Sequence, residues 1–69
     1  MAEPRLGSRL KEVRTAAGLT QAELAERAGV SRKTINTVEN GVFVPSTLLA
    51  LGQARALGTT VEGLFYLAD

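Results

Sequence analysis

The chain has 69 residues, a formal net charge of +1, and neither cysteine nor histidine. That excludes disulfides and thiolate metal sites, and it removes the usual general base and the commonest metal ligand. A domain of this size buries only ~60% of its unfolded surface, so it depends on well-packed helices or on a second copy of itself.

Residues 1–5 read as a flexible arm, with Pro4 marking the start of order. No apolar centre of signal-peptide type follows in MAEPRLGSRL. Helix 1 is predicted from residue 7 or 8 to residue 17, because Leu6, Leu10, Val13 and Ala17 recur at helical spacing. Gly18 ends it. Thr20 then starts helix 2 as an N-cap, and Glu23, three residues on, completes a capping box. Leu19 is placed to staple onto Leu24, and Leu24, Ala25 and Ala28 form the buried face. Gly29 supplies the left-handed residue that closes the helix. Ser31 caps helix 3, which buries Ile35 and Val38 and stops at Asn40-Gly41. Two capped helices, a three-residue break and a small Ala25 at their closest approach make residues 20–41 a helix-turn-helix.

The loop after Gly41 is apolar, and Phe43 is predicted to tuck against the core. Ser46 caps helix 4, which runs to residue 57 with Ala50, Leu51, Ala54 and Leu57 inward, and Gly58 ends it. Thr59 and Thr60 compete to cap helix 5, with Glu62 placed for a capping box to Thr59. Helix 5 carries Val61, Leu64 and Phe65 and reaches about residue 67. The expectation is an all-α, single-domain, five-helix protein with no strands, soluble and intracellular. No apolar run approaches the ~20 residues of a membrane span.

Charge is unevenly spread. Residues 1–35 hold seven cations and four anions, for +3, while residues 36–69 come to −2. A basic front suits a domain that presents one end to phosphate, although ordinary solvated helix charge gives the same pattern.

The stretch LTQAELAERAGVSRKTINTVENG, followed by VPS and ALGTTVEGLF, resembles the Cro and phage-repressor type of helix-turn-helix domain, also called the xenobiotic-response-element type. The resemblance covers roughly residues 6–65. It implies a lambda-repressor-like fold of five helices, with helix 3 as the recognition helix, and a DNA-binding regulator that acts as a dimer in the cytoplasm of a bacterium or in phage biology. A recognition helix sets its N-terminal residues on base edges in the major groove. By that resemblance Arg32, Lys33, Asn36 and Thr37 are the base readers. Arg and Lys suit guanine O6 and N7, and Asn suits adenine N6 and N7. Thr20, Gln21, Ser31 and Asn40 are the expected backbone contacts, since neutral donors fix register without reading sequence. Thr20 and Ser31 also serve as N-caps. The same resemblance pairs Arg14 of helix 1 with Glu39 near the end of helix 3.

Two features depart from the family. Val42 stands where many relatives carry a cation, which removes one phosphate contact. In helix 4, Gly52 replaces a helix former at ~1 kcal/mol, and Gln53 stands where relatives keep an aliphatic core residue. Leu48 and Leu49 lie off the predicted core face, and Phe65, Tyr66 and Leu67 add apolar area beyond what a small monomer needs. Residues 46–67 are therefore expected to form a homodimer interface, with Leu48, Leu49, Gly52, Phe65, Tyr66 and Leu67 on it.

The function expected is sequence-specific DNA binding by a repressor on an inverted-repeat operator, with double-stranded DNA and a second copy as partners. No cofactor, metal or small-molecule ligand is expected. The alternatives are a protein-interaction module such as an antitoxin or adaptor, or the DNA-binding head of a longer regulator, a stand-alone protein being favoured. An enzyme is not expected, because no acid–base or nucleophilic set can be assembled without His, Cys or clustered carboxylates.

Overall fold

Four hydroxyl side chains start four of the five helices in the computed structural model of the protein, which describes residues 5–68. The element order is β1 (Arg5–Ser8), α1 (Leu10–Ala16), α2 (Gln21–Ala28), α3 (Arg32–Glu39), α4 (Thr47–Leu57), α5 (Val61–Leu64) and β2 (Phe65–Ala68). Thr20, Ser31, Ser46 and Thr60 each accept the backbone N–H three residues on, all at 3.1 Å. Such a cap contributes ~1 kcal/mol. At Thr20 the box is reciprocal, because the Thr20 N–H donates to Glu23 Oε1 at 2.9 Å. Gly29 closes α2 at φ 71°, a conformation that suits a residue without a Cβ.

The core is built from one or two residues of every helix. Leu10, Leu24, Ala25, Ile35, Val38, Ala50, Ala54, Leu64 and Phe65 form one buried cluster, with Val13, Val30, Leu49, Leu57 and Val61 packed against it. Ala25 lies inside the cluster on α2, where a small side chain lets α3 and α4 approach. No helix among the described residues is long and apolar enough to cross a membrane.

Several expectations are corrected. The first and last described residues form strands rather than helix extensions. β1 and β2 pair antiparallel, with Arg5 opposite Ala68, Leu6 opposite Leu67, Gly7 opposite Tyr66 and Ser8 opposite Phe65. The predicted helix 1 therefore loses its first turn: Ser8 Oγ accepts the Leu10 N–H at 3.2 Å, and Leu6 is a half-exposed strand residue. Ala17 is exposed, and the buried residues of α1 are Leu10 and Arg14. Helix 5 stops at Leu64 because Phe65 turns extended, at φ −133° and ψ 151°. A run of aromatic and aliphatic residues there gains more from a pleated pairing than from another helical turn. Thr60 is its cap, accepting the Gly63 N–H, so the box between Thr59 and Glu62 does not form. The flexible arm predicted at residues 1–5 lies outside the described residues except for Arg5, which is in β1.

The face of α4 is also turned from its prediction. Ala50, Gln53 and Ala54 are buried, whereas Leu51 is 54% exposed. Spacings of three, one and three from Ala50 to the half-buried Leu57 make one helical stripe, and Gln53 occupies the slot in it given to Leu51. Phe43 is exposed as well, at 46%, in a loop whose backbone N–H donates to Thr37 O at 3.3 Å.

Candidate nucleic-acid interface

Helix α3 is amphipathic in the way that a groove-reading helix must be. Ile35 and Val38 are 0% and 1% exposed and seat it on the core. Arg32, Lys33, Asn36 and Asn40 are exposed on the far side, and Thr37 is half-buried beside them. Among the described residues, the side chains of Arg32 and Lys33 take part in no hydrogen bond and no ion pair, so both charges are available to an external partner. The Thr37 hydroxyl donates to Thr34 O at 2.9 Å, which leaves its oxygen as an acceptor and its methyl group as an apolar contact.

A polar cluster fixes this helix to the rest of the protein. Arg14 Nε donates to Glu39 Oε2 at 2.6 Å and Arg14 Nη2 to Glu39 Oε1 at 3.2 Å. The remaining terminal nitrogen, Nη1, donates to the Leu19 carbonyl at 2.8 Å. The two side chains are 10% and 2% exposed, so the fork-to-fork pair is largely shielded from water. It ties α1, the α1–α2 loop and the end of α3 together in one place.

Glu39 has a third donor. Gln21 Nε2 donates to Glu39 Oε1 at 3.0 Å and to Asn36 Oδ1 at 3.2 Å. Asn40 Nδ2 also donates to Asn36 Oδ1, at 3.3 Å. Both Gln21 side-chain N–H groups are thus engaged within the protein, which leaves the side-chain oxygen and the main-chain N–H groups at the start of α2 for any backbone contact there. The amide chain joining α2 to α3 escaped sequence analysis. Its signal was a carboxylate and two amides, at positions 39, 36 and 21, on facing sides of a helix-turn-helix. Thr20 and Ser31 carry their capping bonds at the starts of α2 and α3, on exposed positions.

Glu23 is exposed in the first turn of α2. Its carboxyl is held below the ordinary glutamate range, first by the Thr20 backbone N–H, then by the Thr20 hydroxyl and more weakly by Arg27.

The six residues expected at a dimer interface separate. Leu48, Leu49 and Gly52 border a depression beside Gly29 and Val30, at the turn of the helix-turn-helix. Tyr66 and Leu67 border a different one, with Leu6, Val61 and Phe65. Leu48 is 82% exposed and Leu67 70%, but Phe65 is only 7% exposed and belongs to the core. A Cβ built at Gly52 meets nothing within 4 Å, so that glycine serves no close approach within the chain. Leu6, Val61 and Phe65 also border an adjoining groove lined by Val44, Pro45 and Leu51, which sequence analysis did not include. Leu6, Val44, Leu51 and Leu67 together expose a continuous apolar area on that side.

The helix-turn-helix family model matches residues 10–64. An uncharacterized HTH-type transcriptional regulator of Methanothermobacter thermautotrophicus is 51% identical over 61 residues, spanning 87% of this chain and 88% of that protein. The immunity repressor of Bacillus phage phi105 is 36% identical over 59 residues, spanning 86% of this chain and 41% of the repressor. In structure, the chain is similar to the restriction-modification controller protein C.AhdI from Aeromonas hydrophila, with a TM-score of 0.76 and 39% identity over 78% of this chain and 82% of that one. It is also similar to a chain of the SinR–SinI protein complex, with a TM-score of 0.75 and 28% identity over 80% of this chain and 54% of that one. With its two capped helices, buried anchors and free cations on the outer face of α3, the chain belongs to the Cro and phage-repressor type of helix-turn-helix family, whose members are DNA-binding transcription regulators.

Proposed function

We propose that the protein is a cytoplasmic repressor that binds an inverted-repeat operator as a homodimer, with Arg32, Lys33, Asn36 and Thr37 of α3 reading base edges. The observation that carries this reading is the pair of exposed, unpartnered cations at the first two positions of α3. Arg and Lys donate to guanine O6 and N7, the commonest specific contact in the major groove. Thr20, Ser31 and Asn40 flank the helix starts and the helix end, where they meet phosphates. Because the Gln21 amide is engaged with Glu39 and Asn36, the backbone contact at that position falls to main-chain N–H groups at the start of α2, where phosphate is favoured.

A single 69-residue unit reads too few base pairs to select one site in a genome. A second copy, with its recognition helix one turn of DNA away at about 34 Å, supplies the rest. The surface best suited to that copy is the one formed by Leu6, Val44, Leu51, Val61, Tyr66 and Leu67, because its apolar residues are contiguous. A partner protein is the second reading, favoured by the same exposed surface and by the SinR neighbour, which was solved in complex with SinI.

An electrophoretic shift with DNA from upstream of the protein's own gene tests both parts. The expected result is a complex of two protomers that weakens steeply with salt, and that Leu51→Glu reduces to a weaker one-protomer complex. A tight specific complex of one protomer overturns the dimer. Binding without salt dependence overturns the DNA reading.

A further inference from the structure

The amide network at α3 has a consequence for which bases the protein selects. Both Glu39 oxygens accept from the Arg14 guanidinium in a fork-to-fork pair, an arrangement in which the carboxylate only accepts hydrogen bonds. The Gln21 atom 3.0 Å from Glu39 Oε1 must then be the amide nitrogen. That nitrogen's second N–H points to Asn36 at 3.2 Å and needs an acceptor there, so the facing atom of Asn36 is its oxygen. Asn40 Nδ2 donates to the same oxygen at 3.3 Å. A carbonyl oxygen has two lone pairs, and both are in use. The Asn36 Nδ2 group makes no hydrogen bond among the described residues, on an exposed position of the groove-facing side.

We infer that Asn36 is a donor-only reader whose polarity is set by Glu39 acting through Gln21, with Asn40 donating to the same oxygen. It favours a base that offers acceptors in the major groove, guanine with O6 and N7 first and thymine with O4 second. It disfavours cytosine, whose N4 group only donates, and adenine, which presents its one acceptor, N7, beside an N6 donor that Asn36 has no free oxygen to meet. The usual bidentate pairing of asparagine with adenine requires the oxygen to accept from N6, and that oxygen is occupied. Gln21 and Asn40 are positioning residues for this choice. The inference rests on the DNA-binding reading above and deepens it.

The test is selection of binding sites from a random duplex pool with the full chain, followed by the same selection with variants whose folding is checked by circular dichroism. Asn36→Ala identifies the column that this residue reads. In the wild-type motif that column is expected to hold guanine or thymine, preferred over adenine by about tenfold, a typical value for a good base contact. Gln21→Ala combined with Asn40→Ala frees the oxygen, so adenine rises to parity or above. Asn36→Asp keeps both accepted bonds and replaces the outward amide by an acceptor, so the column shifts to cytosine. These shifts in base identity are a readout that a merely structural role would not move. A wild-type motif with adenine or cytosine in the Asn36 column overturns the inference and leaves the DNA reading intact. So does a motif with no column sensitive to Asn36. A pool with no motif at all defeats the sequence-specific DNA reading itself.

Discussion

Arg14 and Glu39 are 25 residues apart in sequence and meet through two hydrogen bonds, with the carboxylate side chain only 2% exposed. Removing one partner leaves the other charged, buried and unpaired, which costs about 3–5 kcal/mol. Arg14→Met and Glu39→Gln are each expected to lower the melting temperature strongly, and Arg14→Met the more, because it also deletes the donor to the Leu19 carbonyl. In the double variant no isolated charge remains, so its loss should fall well short of the sum. Additive losses in thermal unfolding would show that the two residues do not act as a pair.

Gln53 is a stability reserve. It is 0% exposed, and neither Nε2 nor Oε1 has a partner among the described residues. An unsatisfied buried polar group costs about 1–3 kcal/mol. Gln53→Met keeps the volume and removes the polar atoms. It is expected to raise stability by about 1–2 kcal/mol in denaturant unfolding, and an unchanged or lower midpoint would contradict this.

Gly7 and Tyr66 are predicted to be coupled. The Tyr66 ring lies across Gly7 in the strand pair, and the Arg9 guanidinium sits 4.4 Å from the ring centroid. A Cβ at Gly7 would overlap the ring. Gly7→Ala alone should displace Tyr66 and cost about 1 kcal/mol, at the low end for overpacking because an exposed ring can swing away. In a Tyr66→Ala background the same change should be neutral or favourable. A double-mutant cycle with no coupling would contradict the stacked arrangement.

Acid stability carries a signature of the α2 capping box. The Glu23 pKa is lowered in the folded state, chiefly by the Thr20 N–H. Its contribution is therefore fully present above the ordinary glutamate pKa and is lost as pH falls through the lower folded value. Glu23→Gln should flatten the melting temperature against pH across that acidic window and leave the profile above it parallel to the wild type. An unaltered acidic limb would show that the box does not titrate with folding.

The helix-turn-helix was legible because its determinants are local. Thr20, Glu23, Gly29 and Ser31 act within four residues of themselves, and each occupies its expected conformation. The chain ends were not legible for the opposite reason. Leu6 continues the spacing of Leu10 and Val13, so periodicity extends the helix. Its strand pairing is with Leu67, 61 positions away, which no local pattern reports. The face of α4 failed on residue type, since hydrophobicity favours Leu51 over Gln53 while packing places them the other way round. At the recognition helix, residue types suggested which side chains meet DNA. The polarity of Asn36 depends on Gln21 and Glu39, which come within reach of it only in the folded helix pair.

Lys33→Ala shows whether α3 reads sequence with its leading cations. Fluorescence anisotropy against the selected operator and a scrambled duplex, each at two salt concentrations, compares the variant with the wild type. The wild type is expected to prefer the operator, and Lys33→Ala to lose about tenfold or more of that preference while still binding both duplexes in a salt-dependent way. An operator preference left unchanged by Lys33→Ala would contradict base reading by the leading cations.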